Sequence, residues 1–309
     1  MKLLITGSTG MVGHNVLENR DIQEHDILQP SSAELNLLKY DDIAAYLKKM
    51  QPDMIIHCAG KVGGIQANMH DMYGFFSDNV LMGIHLVKAA KEQGVKNFLN
   101  LSSSCTYPRN YETPLKEEYI LQGALEPTNE GYALAKLSVL KLCEYIAKEY
   151  SDLQYKTIIP CNLYGRWDKF GETNSHMIPA VIKKIYDAMK HHEQEVIIWG
   201  DGTVRREFMY AADLAVCIGK AIQNFESLPD IMNVGLGFDW TINEYYETVK
   251  EVLGYKGTFT HDLTKPVGMK QKLLDIARQT QWGWKSETTL EEGIRKTYEF
   301  FLQENSNEI

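Results

Sequence analysis

The sequence predicts an α/β fold, a Rossmann-type doubly wound parallel sheet carrying a smaller α/β substrate-binding domain. Three observations predict it. Short apolar runs alternate with helical patterns through the first half of the chain. A glycine-rich turn separates the first run from the first helix. Beyond about residue 165 the alternation loosens. Alternating strands and helices imply parallel strands covered on both faces.

The elements follow in order. Leu3-Leu4-Ile5 is the first strand, and a helix starts near Met11. Asp26-Ile27-Leu28 is the second strand, and the run from Asp53 to Cys58 the third. The run from Asn97 to Leu101 is the fourth, and Lys156 to Pro160 the fifth. Helical patterns fill the gaps near 40–50, 79–94 and 131–150. The last is apolar on more than one face, which fits deeper burial or a partner subunit equally well. After 165 come a helix over 176–190, a strand at Val196–Gly200 and a terminal helix near 288–303. Stretches 204–223 and 231–236 read as a return to the first domain. The expected division is 1–164 plus about 204–235 for the dinucleotide, with about 165–203 and 236–309 for substrate.

With 44% hydrophobic and 24% charged residues over 309 positions, the composition is globular. A net charge of −9 argues against a nucleic-acid or anionic-membrane binder. An anionic substrate would need cations clustered locally. The cysteines, Cys58, Cys105, Cys143, Cys161 and Cys217, are scattered, odd in number and form no Cys-x-x-Cys. That disfavours disulfides and a zinc site and fits a reducing compartment. Cys58, Cys143 and Cys217 lie in apolar patterns and read as core, and no metal is expected. The chain opens on a strand-like Lys2–Thr6, so no signal peptide is expected. No apolar run approaches ~20 residues, the length a spanning helix needs. The expected location is the cytoplasm.

Gly7-Ser8-Thr9-Gly10-Met11-Val12-Gly13 is the turn that carries the cofactor argument. Glycine allows close backbone approach to phosphate, and a helix N-terminus offers free N–H groups and a positive dipole end. A carboxylate after the second strand would grip the 2′-hydroxyl of NAD. Leu28-Gln29-Pro30-Ser31-Ser32 supplies none, and no arginine either. NADP is the expected cofactor.

Tyr132 and Lys136 lie one helical turn apart on one face. A protonated lysine beside the phenol is expected to lower the tyrosine pKa and make a usable general acid. Ser102-Ser103-Ser104-Cys105 follows the fourth strand, where strand ends line a ligand crevice. A Ser/Tyr/Lys set results.

With these residues, and Asn79 at the matching place, the sequence resembles the extended short-chain dehydrogenase/reductases acting on nucleotide-sugars. Further motifs narrow the resemblance: Lys61-Val62-Gly63-Gly64-Ile65, Ser103–Pro108, Leu125–Glu130, Asn162-Leu163-Tyr164-Gly165, Asn174–Pro179, Lys272–Asp275 and Leu290–Gly293. Together they look like the GDP-L-fucose synthase family. That resemblance implies C3/C5 epimerisation followed by NADPH-dependent C4 reduction of a GDP-4-keto-6-deoxy-hexose, in a homodimer. Catalytic roles carry over to Ser103, Tyr132 and Lys136, with Cys105 as base and His176 as acid. Cofactor contacts carry over to Gly7, Gly10, Met11, Val12, Gly13, Asn36, Leu37, Tyr132, Lys136, Asn162 and His176. Lys184, Trp199, Arg206 and Lys272 fall at nucleotide-sugar positions, where arginine suits phosphate and tryptophan a sugar or base.

Two departures stand out. Arg166-Trp167-Asp168-Lys169-Phe170 replaces the Pro and Asp-Asn-Phe that usually follow the family's Tyr-Gly, near the sugar pocket. The family's arginine for the 2′-phosphate is also missing. Alternatives are therefore a C4-only reductase of another GDP-4-keto sugar such as a heptose, and a nucleotide-sugar 4-epimerase that keeps NAD bound. A non-catalytic dinucleotide sensor is the third; it would have no need of a general acid.

Overall fold

A computed structural model describes residues 1–171, 175–265 and 268–306. The sequence motif beginning at Asn174 therefore starts outside the described residues. The strands are β1 (Lys2–Thr6), β2 (Asp26–Leu28), β3 (Met54–His57), β4 (Asn97–Leu101), β5 (Gln154–Pro160), β6 (Asn162–Tyr164) and β7 (Glu195–Trp199). They continue with β8 (Arg205–Arg206), β9 (Phe208–Tyr210), β10 (Ile231–Val234), β11 (Trp240–Thr241), β12 (Thr258–Asp262) and β13 (Gln271–Lys272). The helices are α1 (Met11–Glu18), α2 (Arg20–Gln23), α3 (Tyr40–Met50), α4 (Ile65–His70), α5 (Met72–Glu92) and α6 (Glu130–Glu149). After them come α7 (Met177–Lys190), α8 (Ala211–Gln223), α9 (Ile242–Leu253), α10 (Ala277–Gln281) and α11 (Leu290–Ser306).

The central sheet runs β10-β5-β4-β3-β1-β2, with every neighbouring pair parallel. All five strands expected from the apolar runs lie in it. Their runs are continuous because both faces are covered. Leu3, Ile5, Ile56 and Leu99 pack into one core, with α8 residues such as Leu214 and Ile218. Leu4, Ile55 and Phe98 pack on the other side, with Leu86 of α5 and Val139 of α6. α5 starts well before the helix expected near 79. The Asp71 carboxylate caps it, accepting from Gly74 N–H at 3.0 Å.

A separate core holds Ile178, Val181 and Ile185 of α7 with Val196, Tyr245, Val249, Ile294 and Phe301. β7 pairs with β12, and β8 pairs with β11 and β13. Two parts of the chain depart from the expected division. Arg205 and Arg206 join this smaller assembly, whereas α8 and β10 belong to the central sheet and its core. Leu274 and Trp284, expected among substrate-domain residues, pack on the first core. No described helix is long and apolar enough to cross a membrane.

Candidate active site

One cleft of about 1610 Å³ runs along the carboxyl ends of β1, β3, β4 and β5. The order of strands reverses between β3 and β1, the place where open α/β sheets bind ligands. Every residue given a catalytic, cofactor or nucleotide-sugar role by the resemblance lines this cleft, from Gly7 to Lys272, whereas Asn79 does not.

At the cofactor end, Gly7 takes φ +71, and a side chain there would lie 2.6 Å from Ala59 Cα. A Cβ on Gly13 would lie 2.2 Å from the Gly7 carbonyl oxygen. Only glycine fits either position. No side chain caps α1, so its first N–H groups stay available beside Gly10, Met11 and Val12, which also line the cleft. This cradle suits a dinucleotide pyrophosphate. Asn36 turns its Oδ1 to the N–H of Leu38 at 3.0 Å, and Leu37 is buried. Glu34, which the strand-end reading passed over, accepts from both the N–H and the hydroxyl of Ser31 at 2.8 Å. Pro30, Ser32 and residues 35–38 line this end with no lysine or arginine among them.

The Ser/Tyr/Lys set assembles at the mouth of β4. Lys136 Nζ stands 5.9 Å from the centre of the Tyr132 ring and donates to the Leu101 carbonyl at 2.9 Å. Burial pulls the Lys136 amine down to about 8. The expected fall in the Tyr132 pKa is not found. Burial pushes the phenol up, the Cys105 charge adds to the rise, and a bond to Ser103 only partly opposes it. Desolvation of a phenolate outweighs an ammonium that is itself turned to a carbonyl. Tyr132 therefore stays protonated at neutral pH, the form a proton donor needs. Asn79 braces the neighbouring loop, accepting from Lys61 N–H at 2.8 Å and donating to Lys61 and Phe75 carbonyls.

Cys105 follows Ser103 in a short turn, its N–H donating to Ser103 Oγ at 3.2 Å. Asn129 Nδ2 donates to its sulfur at 3.1 Å, and Lys272 Nζ at 3.3 Å. Burial would raise this thiol. The Lys272 charge and the bonds from Ser103, Lys272 and Asn129 outweigh it and hold the thiol below its ordinary value. The other cysteines contrast with it. Cys143 and Cys217 are buried and burial raises both, as a core reading expects. Cys58 packs against the first core and burial raises it to about 12, but it is only half-buried and also lines the cleft.

His176 precedes α7 and reaches Asp168 Oδ1 through Nδ1 at 3.3 Å. Burial alone would lower this imidazole. The bond and charge of Asp168 outweigh it, and the net shift is upward. Sequence reasoning missed Asp168, which lies within the segment that departs from the family pattern. The loop is clamped. Trp167 stacks on His14 with ring centres 4.1 Å apart, meets Phe300 at 4.9 Å and donates to Glu18 at 2.9 Å. Asn15 donates to the Arg166 carbonyl at 3.2 Å, and Arg166 pairs with Glu18. These contacts hold Trp167 at φ +69, a conformation costing about 1–3 kcal/mol for a large side chain.

At the far end, Arg206 is half-buried beside Lys272, its register partner in the parallel β8–β13 pair. Trp199 stays 47% exposed, leaving a ring face for stacking, with Lys265 Nζ 5.5 Å from its centre. Lys184 donates to the Ile197 carbonyl, and Lys183 pairs with Asp187. Asn162 donates to the Glu207 carbonyl at 2.9 Å. Among the described residues no group of three or more His, Cys, Asp or Glu is placed to hold a metal ion.

Comparison with known proteins agrees with this geometry. Residues 3–235 match the NAD dependent epimerase/dehydratase family. The chain is 53% identical to GDP-L-colitose synthase of Yersinia pseudotuberculosis over 308 residues, covering 100% of both. It is 47% identical to GDP-L-fucose synthase of Azorhizobium caulinodans, covering 98% of this chain and 97% of that one. Among solved structures, the GDP-mannoheptose C4 reductase MlghC of Campylobacter jejuni, with NADP bound, superposes with a TM-score of 0.87 at 27% identity. That match covers 97% of this chain and 98% of that one. The chain belongs to the NAD dependent epimerase/dehydratase family, as a GDP-L-fucose synthase-like extended short-chain dehydrogenase/reductase.

Proposed function

We propose that the protein is an NADPH-dependent epimerase and C4-ketoreductase of a GDP-4-keto-6-deoxy-hexose, giving GDP-L-fucose or a close relative. The observation that carries it is one cleft holding a lowered thiol, a raised imidazole and a protonated phenol together. A reductase alone needs only the phenol. The Gly7–Gly13 cradle, with Asn36, Leu37 and Lys136 along the cleft, would hold NADPH, which would supply the hydride for C4. The C4 ketone acidifies the neighbouring C–H bonds. Cys105, as thiolate, removes such a proton and leaves an enolate. His176, as imidazolium, returns one to the opposite face. Ser103 holds the C4 oxygen by hydrogen bonding, and Tyr132 protonates it during reduction. Donors already in place stabilise the charge that develops there. Arg206, Lys184, Trp199 and Asn162 are assigned to the GDP end.

Running the reaction in D₂O tests this reading. Deuterium should enter the ring carbons beside C4; none in the product of the wild-type protein would reject the epimerase half. The 53% identity to a GDP-L-colitose synthase favours a second reading of the substrate. Colitose is fucose without its 3-hydroxyl, so only C5 would need inversion. Competition between the two GDP-4-keto sugars, followed by NMR, separates the readings.

The pH dependence of exchange should follow His176. Asp168 holds the imidazole above its ordinary range, so the acid form survives to higher pH. Its rate contribution is lost as pH rises through that pKa. Asp168→Asn should move the alkaline fall of the exchange rate to lower pH. Exchange at about pH 8 should drop while exchange at about pH 5.5, below the free imidazole value, changes little. A profile identical to wild type would remove Asp168 from the role.

The two separate cores support a division close to the expected one, with 1–164 and α8 and β10 serving the dinucleotide and most of 165–203 and 236–309 the substrate; Arg205 and Arg206 go with the substrate part, and Leu274 and Trp284 pack on the first core. A homodimer through α5 and α6 belongs to the same reading. Met72, Tyr73, Phe76 and Leu81 on α5 and Leu134 and Tyr145 on α6 are exposed, an apolar surface of the kind that partners cover. A solution mass of one chain would remove that part.

A further inference from the structure

We infer that Lys272 is the counter-ion of the Cys105 thiolate, not an anchor for the substrate diphosphate, and that with Asn129 it presets the sulfur as a base. The inference rests on the reaction proposed above and assigns that reaction a positioning residue.

The geometry is specific. The two groups aimed at Sγ are an ammonium at 3.3 Å and an amide N–H at 3.1 Å. Both are donors only, so neither can accept from an S–H. A thiolate satisfies both donors at once. Asn129 directs its N–H to sulfur even though its own Oδ1 is left buried without a partner in the chain. The strand bearing Lys272 is fixed on both sides. Gln271 donates to Asp239 at 2.7 Å and accepts from Thr113 at 3.1 Å. Leu274 N–H donates to Glu207 at 3.0 Å, and the same carboxylate accepts from Leu236 and Gly237.

Lys272 and Arg206 are register partners, so two cations lie side by side at this end of the cleft. They divide the work: Arg206 remains for the diphosphate, and Lys272 serves the sulfur. The titratable groups around the thiol are Lys272 from β13 and Tyr132 from α6, with neutral donors from Ser103 and Asn129. Cys161 also feels Lys272, but burial and Glu207 keep it a neutral thiol. When Cys105 takes a proton from carbon, the C–H electron pair passes into the enolate. The sulfur becomes a neutral S–H, and that proton then leaves to solvent. Lys272 favours the starting anion.

The test needs no substrate. The rate at which iodoacetamide alkylates Cys105 is followed against pH by mass spectrometry of its peptide, in the full chain. Lys272→Met should slow alkylation at neutral pH by about tenfold or more and move its midpoint upward, as loss of an adjacent opposite charge requires. Lys272→Arg should recover most of the rate, while GDP affinity changes less than about threefold in both variants. Near-ultraviolet circular dichroism checks folding, and if Lys272→Met does not fold, Asn129→Asp takes its place, with the same upward movement expected. An unmoved midpoint in a folded variant overturns the inference, as does a loss falling mainly on GDP affinity. Either result leaves deuterium exchange by the wild-type protein untouched, so failure here is distinct from failure of the proposed reaction.

Discussion

Tyr132→Phe is expected to lower C4 reduction by about 10²–10⁴-fold, the usual contribution of a positioned general acid. Deuterium exchange beside the ketone should survive. The phenol is held protonated by burial, so in the proposed reaction its loss removes the donor to the C4 oxygen. The ring itself remains to pack against Lys136. Single-turnover measurement of NADPH oxidation, alongside NMR of recovered ketone, separates the two steps. Equal loss of exchange and reduction would mean that Tyr132 holds the substrate instead of completing the reduction.

Cys105→Ser carries the other large effect. Serine keeps the shape and the bonds to Asn129 and Lys272, but its hydroxyl gives no anion near neutral pH. Exchange should fall by about 10²–10⁴-fold, because the proposed base is gone while the site stays assembled. Reduction of an already epimerised 4-keto sugar should persist. Exchange at the wild-type rate in this variant would move the base to another residue and detach the thiol from the chemistry.

Much of the fold was legible because its signals are local. Four of the five expected strands, β1, β3, β4 and β5, are runs buried on both faces, and an unbroken apolar run reports that directly; β2, at the sheet edge, is only partly buried. The cofactor turn was legible for a similar reason: Gly7 and Gly13 meet backbone that no side chain would clear. The start of α5 was not, since Asp71 caps it through a single hydrogen bond and the apolar pattern begins later. The site divides along the same line. Residue types at motif spacing gave Ser103, Tyr132, Lys136, Cys105 and His176, and all line one cleft. What spacing does not carry is desolvation. The proximity of Lys136 predicts a lowered phenol, yet burial raises it. Nor does spacing reveal which long-range neighbours reach a group. Lys272 meets Cys105 across 167 positions, and only folding places them together. Asp168 is of the same kind: its reach to the His176 ring is a product of the folded loop and not of motif spacing.

The clamp on that loop reaches further than its size suggests. Trp167 rests on His14 from the first helix and on Phe300 from the last. A chain trimmed from its C-terminus to before Phe300 would lose one jaw of the vice. The damage would surface far away, as an imidazole drifting out of its working range and a reaction that fades sooner on the alkaline side.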